Sequence, residues 1–261
     1  MATGRTRDPE SRWFGDRQVS PAEKTGLVHG VFAQVARRYD LMNDLMSAGV
    51  HRRWKDRFVA LVAPRPGERV LDLAGGTGDI AFRLVDRAPG ARIVVADLTE
   101  DMVRVGRDRA LDGGRISGMT GGTGGGLAFC VANAEALPFP DRSMDACTIA
   151  FGLRNVTRID TALAEARRVL KPGGRFFCLE FSRVADPLLA RAYRLYSDAV
   201  IPRLGAVVAR DRESYAYLVE SIRRFPDQES LAARMGEAGF ARVRWRDMTG
   251  GVVAVHSGFR V

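Results

Sequence analysis

The sequence predicts an α/β protein: a mostly parallel twisted sheet with helices on both faces. Three observations carry this. Short apolar runs of strand length alternate with amphipathic stretches of helix length between Arg69 and Phe181. A glycine cluster sits at the first strand-to-helix junction, and after a helical interruption the alternation resumes toward the C-terminus. Strands joined through helices lie parallel, and ligands of such sheets bind at the carboxyl ends of the strands.

Residues 1–25 read as a disordered polar leader, carrying Arg5, Arg7, Arg12 and Arg17 with no apolar stretch. Residues 26–61 read as a helical lid broken near "SAGV", and "PRPGE" then punctuates the chain. "RVLDL" is the first strand, "AGGTG" the tight turn and "DIAFRLV" the start of a helix. "ARIVVADLT" and "EDMVRVGRDRAL" repeat the pair. Residues 111–126 are too glycine-rich to pack and read as a surface insertion. "LAFCV" and "MDACTIA" are the third and fourth strands. The helix "RIDTALAEARRVL" is closed by "KPGG", with Gly173 and Gly174 ending it, and "RFFCLEF" is the fifth strand. Residues 183–224 form a helical insertion, with Asp186 as N-cap, Pro187 in the first turn and apolar residues at 188, 189, 192, 193, 196 and 200. "DQESLAARMGEAGF" returns to helix, and "ARVRWRDM" and "VVAVHSGFRV" are two closing strands. Residues 26–261 thus make a single domain.

Composition narrows the function. A chain of 261 residues that is 46% hydrophobic can bury a large core without staples. Cys130, Cys147 and Cys178 are odd in number, widely spaced and in apolar surroundings, which suits reduced thiols in a reducing compartment rather than a disulfide or zinc framework. No metal is expected. The net charge of +9 favours anionic partners. Most basic residues are arginines set beside acids, as in "RDRES" and "RRWKDR", without interleaved aromatics, which argues against nucleic acid. No apolar run approaches the roughly 20 residues of a membrane-spanning helix, so the chain reads as soluble or peripheral.

"DLAGGTGD", Asp72 to Asp79, offers close backbone approach at Gly75, Gly76 and Gly78 and free N–H groups at the start of a helix. Asp97 ends the next strand 19 residues after Gly78, where a carboxylate can accept from both hydroxyls of a ribose. The two in register point to a nucleoside-containing cofactor. "GTGDIA" also satisfies the looser dinucleotide pattern. Asp72, inside the first strand, tips the reading toward a cationic cofactor, S-adenosylmethionine, over a pyrophosphate. In "NAEALPFPD", Asn133 and the backbone of Ala134 can read an adenine edge, with Leu137, Pro138 and Phe139 as an apolar wall.

"YDLMNDLMSAGVHRRW", "VLDLAGGTGD", "NAEALPFPD", "FGLRNV" and "RVLKPGGRFFCLEFS" together resemble the UbiE/MenG/Coq5 family of quinone C-methyltransferases, from about Lys24 onward. The resemblance implies a class I methyltransferase (Rossmann-like) fold. It also implies transfer of a methyl group from S-adenosylmethionine to a ring carbon of a polyprenylated benzoquinol, a demethylmenaquinol or both. By motif it carries cofactor contacts onto Thr77, Asp97, Asn133 and Ala134. One departure stands out: the family often has Ser where this chain has Ala150, which removes a side-chain hydrogen bond to the cofactor.

Methylating carbon needs an electron-rich ring, and ionising a phenol of pKa near 10 at neutral pH needs help from a base or a nearby positive charge. In "FGLRNV", Arg154 is expected to stabilise the developing phenolate and Asn155 to orient a hydroxyl or water; the alternative is that Arg154 pairs with a structural carboxylate such as Glu180. The stretch from Tyr39 to Trp54 is expected to cover the ring. Tyr39 would bond a ring oxygen, Met42 and Trp54 would line an apolar wall, and His51 would exchange a proton, with Asp40 and Asn43 as caps or braces. The helix after Pro187 either covers the isoprenoid tail or packs in the core. Between Arg183 and Arg224 eight arginines face five acids, the composition of a surface that draws a lipid quinol from a bilayer. The expected partners are therefore a lipid quinol and a membrane surface, with a homodimer or a quinone-biosynthesis assembly left open. The expected location is cytoplasmic, peripheral at the inner face of the cell membrane. Two rival readings stay in play: an NAD-dependent oxidoreductase, and a non-catalytic scaffold on the same fold.

Overall fold

The computed structural model describes residues 13–14, 17–20, 23–28, 30, 47, 49–116, 125–184, 187, 190–191 and 212–261. Seven strands form one sheet. In chain order they are β1 (Arg69–Leu73), β2 (Arg92–Asp97), β3 (Gly126–Val131), β4 (Met144–Ala150), β5 (Leu170–Phe181), β6 (Ala241–Met248) and β7 (Val253–Phe259). Their order across the sheet is β3-β2-β1-β4-β5-β7-β6. The first five run parallel, and β7 is antiparallel to both β5 and β6.

β1 and β4 sit inside the sheet and are largely buried, which is why they read as mostly apolar runs, broken by Asp72 in β1 and by Asp145 and Thr148 in β4. Alternate residues serve opposite faces. Val70 joins Ile93, Val95 and Leu127 in one core cluster, while Leu71 and Leu73 join Cys147, Phe176 and Cys178 in another. The first cluster is closed by helices α1 (His51–Val62), α2 (Asp79–Arg87) and α3 (Glu100–Asp112). The second is closed by α4 (Ile159–Val169) and α6 (Gln228–Glu237), which buries Leu231 and Met235. In α4, Ile159, Ala162, Leu163, Ala166 and Val169 are buried, a helical stripe of three- and four-residue steps. Asp227 caps α6, its carboxylate accepting from the Ser230 N–H at 3.0 Å.

The structure corrects two expectations. "KPGG" does not close α4: the helix ends at Val169, and Leu170 already pairs with Met144. The four residues form an irregularity inside β5, after which Arg175 pairs with Ala146. Gly173, at φ 78°, turns its N–H onto the Arg260 carbonyl, and the Arg260 N–H returns to Gly174 at 2.9 Å. The polar leader holds a two-residue antiparallel ladder, Trp13–Phe14 with Arg17–Gln18, beside α5 (Arg212–Arg224), and residues 23–28 are helical. Gly49, at φ 77°, lies just before α1, while residues 31–46 of the expected lid lie outside the described residues. Most of 183–211, including the Asp186 cap and the stripe from 188 to 200, lies outside the described residues, as do residues 117–124 of the glycine-rich insertion.

Candidate functional site

β1 and β4 end side by side. Beyond β1 the chain turns through Ala74 at φ 47°, and beyond β4 through Phe151 at φ 56°. Non-glycine residues held in the left-handed region cost about 1–3 kcal/mol each and persist only where their surroundings over-determine them. A Cβ on Gly152 would come within 2.5 Å of the Ala74 Cβ, so the two turns abut with no room between them.

The glycine loop follows Ala74. A Cβ on Gly75 would lie 2.7 Å from Val95 Cγ1 and 2.8 Å from Asp72 Oδ2, so the loop can lie this close to β2 only without a side chain there. Gly78, at φ 85°, hands the chain to α2. The Gly76 N–H donates to Asp97 Oδ2 at 2.8 Å, and the Thr99 N–H donates to Asp97 Oδ1 at 2.8 Å. Asp97 thus ties the loop to the end of β2.

A cleft of about 770 Å³ opens above these strand ends. Gly76, Asp97, Asn133, Ala134 and Asn155 all line it. Asn133 is held in a turn, its Oδ1 accepting from the Glu135 N–H at 2.9 Å and its carbonyl from the Ala136 N–H at 3.0 Å. Beyond Asp97 the wall is apolar, from Leu98 and Met102. Thr25 and Val28 of the N-terminal helical residues 23–28 close the far side, with Thr25 Oγ1 3.0 Å from Thr157 Oγ1.

Asp72 stands beneath the loop, 1% exposed. Its Oδ1 accepts from the Thr148 hydroxyl at 2.7 Å; its Oδ2 is buried without a partner. Burial pushes its pKa up to about 7, partly countered by the Thr148 hydrogen bond, and the nearby Asp79 and Asp97 charges raise it further. A buried, half-satisfied carboxylate is a vacancy for a cation. The acceptor pair at Asp97, the Asn133 turn and the apolar wall suit an adenosine, and the Asp72 oxygen suits positive charge. These residues therefore fit S-adenosylmethionine.

Thr77 is buried under α3, its hydroxyl accepting from Arg109 Nη1 at 3.2 Å. Gly106 makes that approach possible: a Cβ there would meet Phe129 Cε1 at 2.7 Å and the Thr77 backbone at 3.0 Å. Gly106→Ala is expected to cost about 1–3 kcal/mol through overpacking and, by pushing α3 off the loop, to weaken cofactor binding. Urea unfolding and calorimetric titration check the two effects. Ala150 lines the recess behind the loop beside Asp72 and Phe151, and its methyl group offers a ligand no hydrogen bond.

The catalytic candidates divide. Asn155 is on the cleft wall, accepting from the Tyr217 hydroxyl at 3.1 Å through Oδ1. Burial pushes the Tyr217 pKa well above the usual phenol value, so it stays a donor. Arg154 does not line the cleft. Its Nη1 donates to both Glu180 oxygens, at 3.2 and 2.9 Å, and its N–H donates to Oε1 at 3.2 Å. Its guanidinium carbon lies 5.4 Å from the Phe181 ring centroid and 5.9 Å from that of Phe151. The geometry is thus that of the alternative reading, a buried ion pair with Glu180. His51 is buried at the start of α1, its N–H donating to Ser47 Oγ at 3.2 Å, and it too is absent from the cleft wall. Trp54 packs against the contacting rings of Phe151 and Phe181 and donates to Thr249 Oγ1 at 2.8 Å, making it a core residue beneath the site. Tyr39, Asp40, Met42 and Asn43 lie outside the described residues.

Leu98, Met102, Thr25 and Val28 are among the wall residues that escaped the sequence reading. Leu98 was signalled by its place directly after Asp97. Met102, Thr25 and Val28 reach the site through tertiary packing and left no local sign. Lys55, in the recess behind the loop, falls on the helical stripe of Phe58, Val59 and Val62, where a lysine is out of place.

Comparison with known proteins agrees with this geometry. The family model described as the ubiE/COQ5 methyltransferase family matches residues 18–260. A protein of Paracoccus denitrificans named ubiquinone/menaquinone biosynthesis C-methyltransferase UbiE is 56% identical over 97% of this chain and 98% of its own length. A protein of the same name from Dinoroseobacter shibae is 55% identical over 95% of this chain and 96% of its own. Among solved structures, a Thermotoga maritima protein described as a SAM-dependent methyltransferase, possible histamine N-methyltransferase, superposes with a TM-score of 0.63. At 19% identity, over 90% of this chain and all of that one, it shows the fold alone, that of the class I methyltransferases. A match of such length, on a chain that folds the same loop, acid and turn onto one cleft, means that the chain belongs to the ubiE/COQ5 methyltransferase family.

Proposed function

We infer that this enzyme transfers a methyl group from S-adenosylmethionine to a ring carbon of a polyprenylated quinol. The substrates are demethylmenaquinol, 2-methoxy-6-polyprenyl-1,4-benzoquinol or both, in menaquinone and ubiquinone biosynthesis. The observation that carries the reading is identity above one half with relatives named for that reaction, along almost the whole chain.

The cofactor supplies an electrophilic methyl group. Asp97, Asn133 and Ala134 would hold its nucleoside end, and Gly75, Gly76, Thr77 and Gly78 would let backbone approach its other end. The chain's remaining work is to place the ring and polarise its hydroxyl. Asn155 is suited to that: its Nδ2 makes only a 3.5 Å contact with the Phe151 carbonyl, at the limit of a hydrogen bond, so it can turn to a ring oxygen while Tyr217 holds the other end of the amide. Tyr39, from the lid, would complete the proposal on the substrate side by bonding a ring oxygen.

The test is transfer from labelled S-adenosylmethionine to short-tail versions of both quinols, with a reductant present. Transfer to one or both is expected. No transfer to either, with the cofactor bound and the substrate reduced, would favour a scaffold.

Among the described residues no helix is long and apolar enough to cross a membrane. A lipid quinol must still be reached, and we propose peripheral contact through the arginine-rich residues 183–224. Binding to vesicles containing anionic lipid should exceed binding to neutral vesicles in a flotation assay; equal binding would remove the idea.

A further inference from the structure

Behind the glycine loop lies a small recess lined by Lys55, Asp72, Thr77, Asp79, Ala150 and Phe151. Lys55 reaches it from α1, with its side chain 5% exposed, and donates to Asp79 Oδ2 at 2.8 Å. An ammonium has three N–H donors. Asp79 has a second partner, accepting from Arg83 Nε at 2.9 Å through Oδ1, and Arg83 in turn reaches Asp56. Burial works to raise the Asp79 pKa, but Lys55 and Arg83 together hold it below the usual carboxylate range.

As a structural device this lysine is poorly placed. Asp79 is neutralised by Arg83 without it, and a buried cation costs free energy that an apolar residue on the same stripe would avoid. The recess therefore holds two features in search of a partner: spare N–H donors on a buried ammonium, and the unpartnered Asp72 Oδ2. One donor group and one acceptor group, both buried and of opposite charge, are the complement of an α-amino-acid zwitterion.

We propose that Lys55 selects the aminocarboxypropyl end of the cofactor by binding its carboxylate, while Asp72 takes its ammonium. The proposal rests on the reading of the cleft as an S-adenosylmethionine site and names the group that distinguishes this ligand from a plain adenosine thioether. It also assigns α1, the helix that follows the lid, a direct part in cofactor binding.

The test measures binding, with no turnover. S-adenosylhomocysteine, its decarboxylated counterpart and 5′-methylthioadenosine are titrated calorimetrically into the wild type, Lys55→Met and Lys55→Gln. The Gln variant keeps a donor to Asp79 and guards against misfolding of the Met variant. The wild type is expected to bind S-adenosylhomocysteine about tenfold to a hundredfold more tightly than the decarboxylated form. Both variants should lose that preference and bind 5′-methylthioadenosine as the wild type does. A wild type without the preference, a variant that retains it, or equal weakening of all three ligands would overturn the role of Lys55. A wild type that binds none of the three would overturn the cofactor reading itself, and this proposal with it.

Discussion

Glu180→Ala is expected to destabilise the protein by about 3–5 kcal/mol, the largest single-residue effect on the fold. Glu180 is 1% exposed and receives the Arg154 guanidinium, the Arg154 N–H and the Phe181 N–H. Removing it leaves Arg154, itself buried, beside two aromatic rings without its carboxylate. Breaking a buried pair costs far more than the pair contributes over an apolar substitute. The double variant Arg154→Met/Glu180→Leu should therefore recover most of the loss in urea unfolding. A double variant that regains stability and cofactor affinity yet shows no methyl transfer would return Arg154 to the role of phenolate partner.

Cofactor binding should weaken about tenfold between pH 8 and pH 6, the second large effect, because Asp72 must give up its proton to receive a cation. With its pKa raised to about 7 by burial, Asp72 is mostly neutral at the lower pH and mostly ionised at the higher. A bound positive charge favours the ionised form, so binding near neutrality releases a fraction of a proton. Titrations in two buffers of different ionisation enthalpy measure that fraction. The sign for stability is opposite. A carboxyl whose folded pKa lies above its unfolded value of 3.8 favours the fold below that value, and this contribution is lost as pH rises through about 7. Asp72→Asn should therefore make the ligand-free protein more stable at pH 8, by about 1–2 kcal/mol after the cost of an unpaired amide, while weakening cofactor binding and flattening its pH dependence. Binding that is already independent of pH in the wild type would remove Asp72 as the cation's partner.

The parts of this protein that were legible in its sequence are those whose physics is local. The strands and helices of the parallel core follow from apolar period and turn residues, and the positions of Asp72, Gly75, Gly76, Gly78 and Asp97 follow from a strand, a loop and the end of the next strand. Asn133 and Ala134 reach the same cleft because the third strand ends beside the second. What was misread or left open depends on contacts between distant segments. Arg154 and Glu180 are 26 residues apart, and only the packed sheet shows which way the guanidinium turns. "KPGG" has the composition of a helix stop, but β5 takes three extra residues between Leu170 and Arg175, five steps against two from Met144 to Ala146, to align Arg175 with Ala146 and to meet Arg260. Lys55 was visible in outline, as a charge on a buried stripe, but the recess it enters is made only by the packing of α1 against the loop.

The order of strands in the sheet sets the order in which the chain can finish folding. β7 lies between β5 and β6 yet leaves the ribosome after both. Until it emerges, the twelve residues of β5 present an open edge on a nearly complete sheet, and β6 has no strand to pair with. That interval exposes a long run of unpaired backbone containing Phe176, Phe177, Leu179 and Phe181, the kind of edge that recruits other nascent chains. The cleft is assembled from strands made earlier, so during synthesis the cofactor site can form before the sheet that carries it is closed.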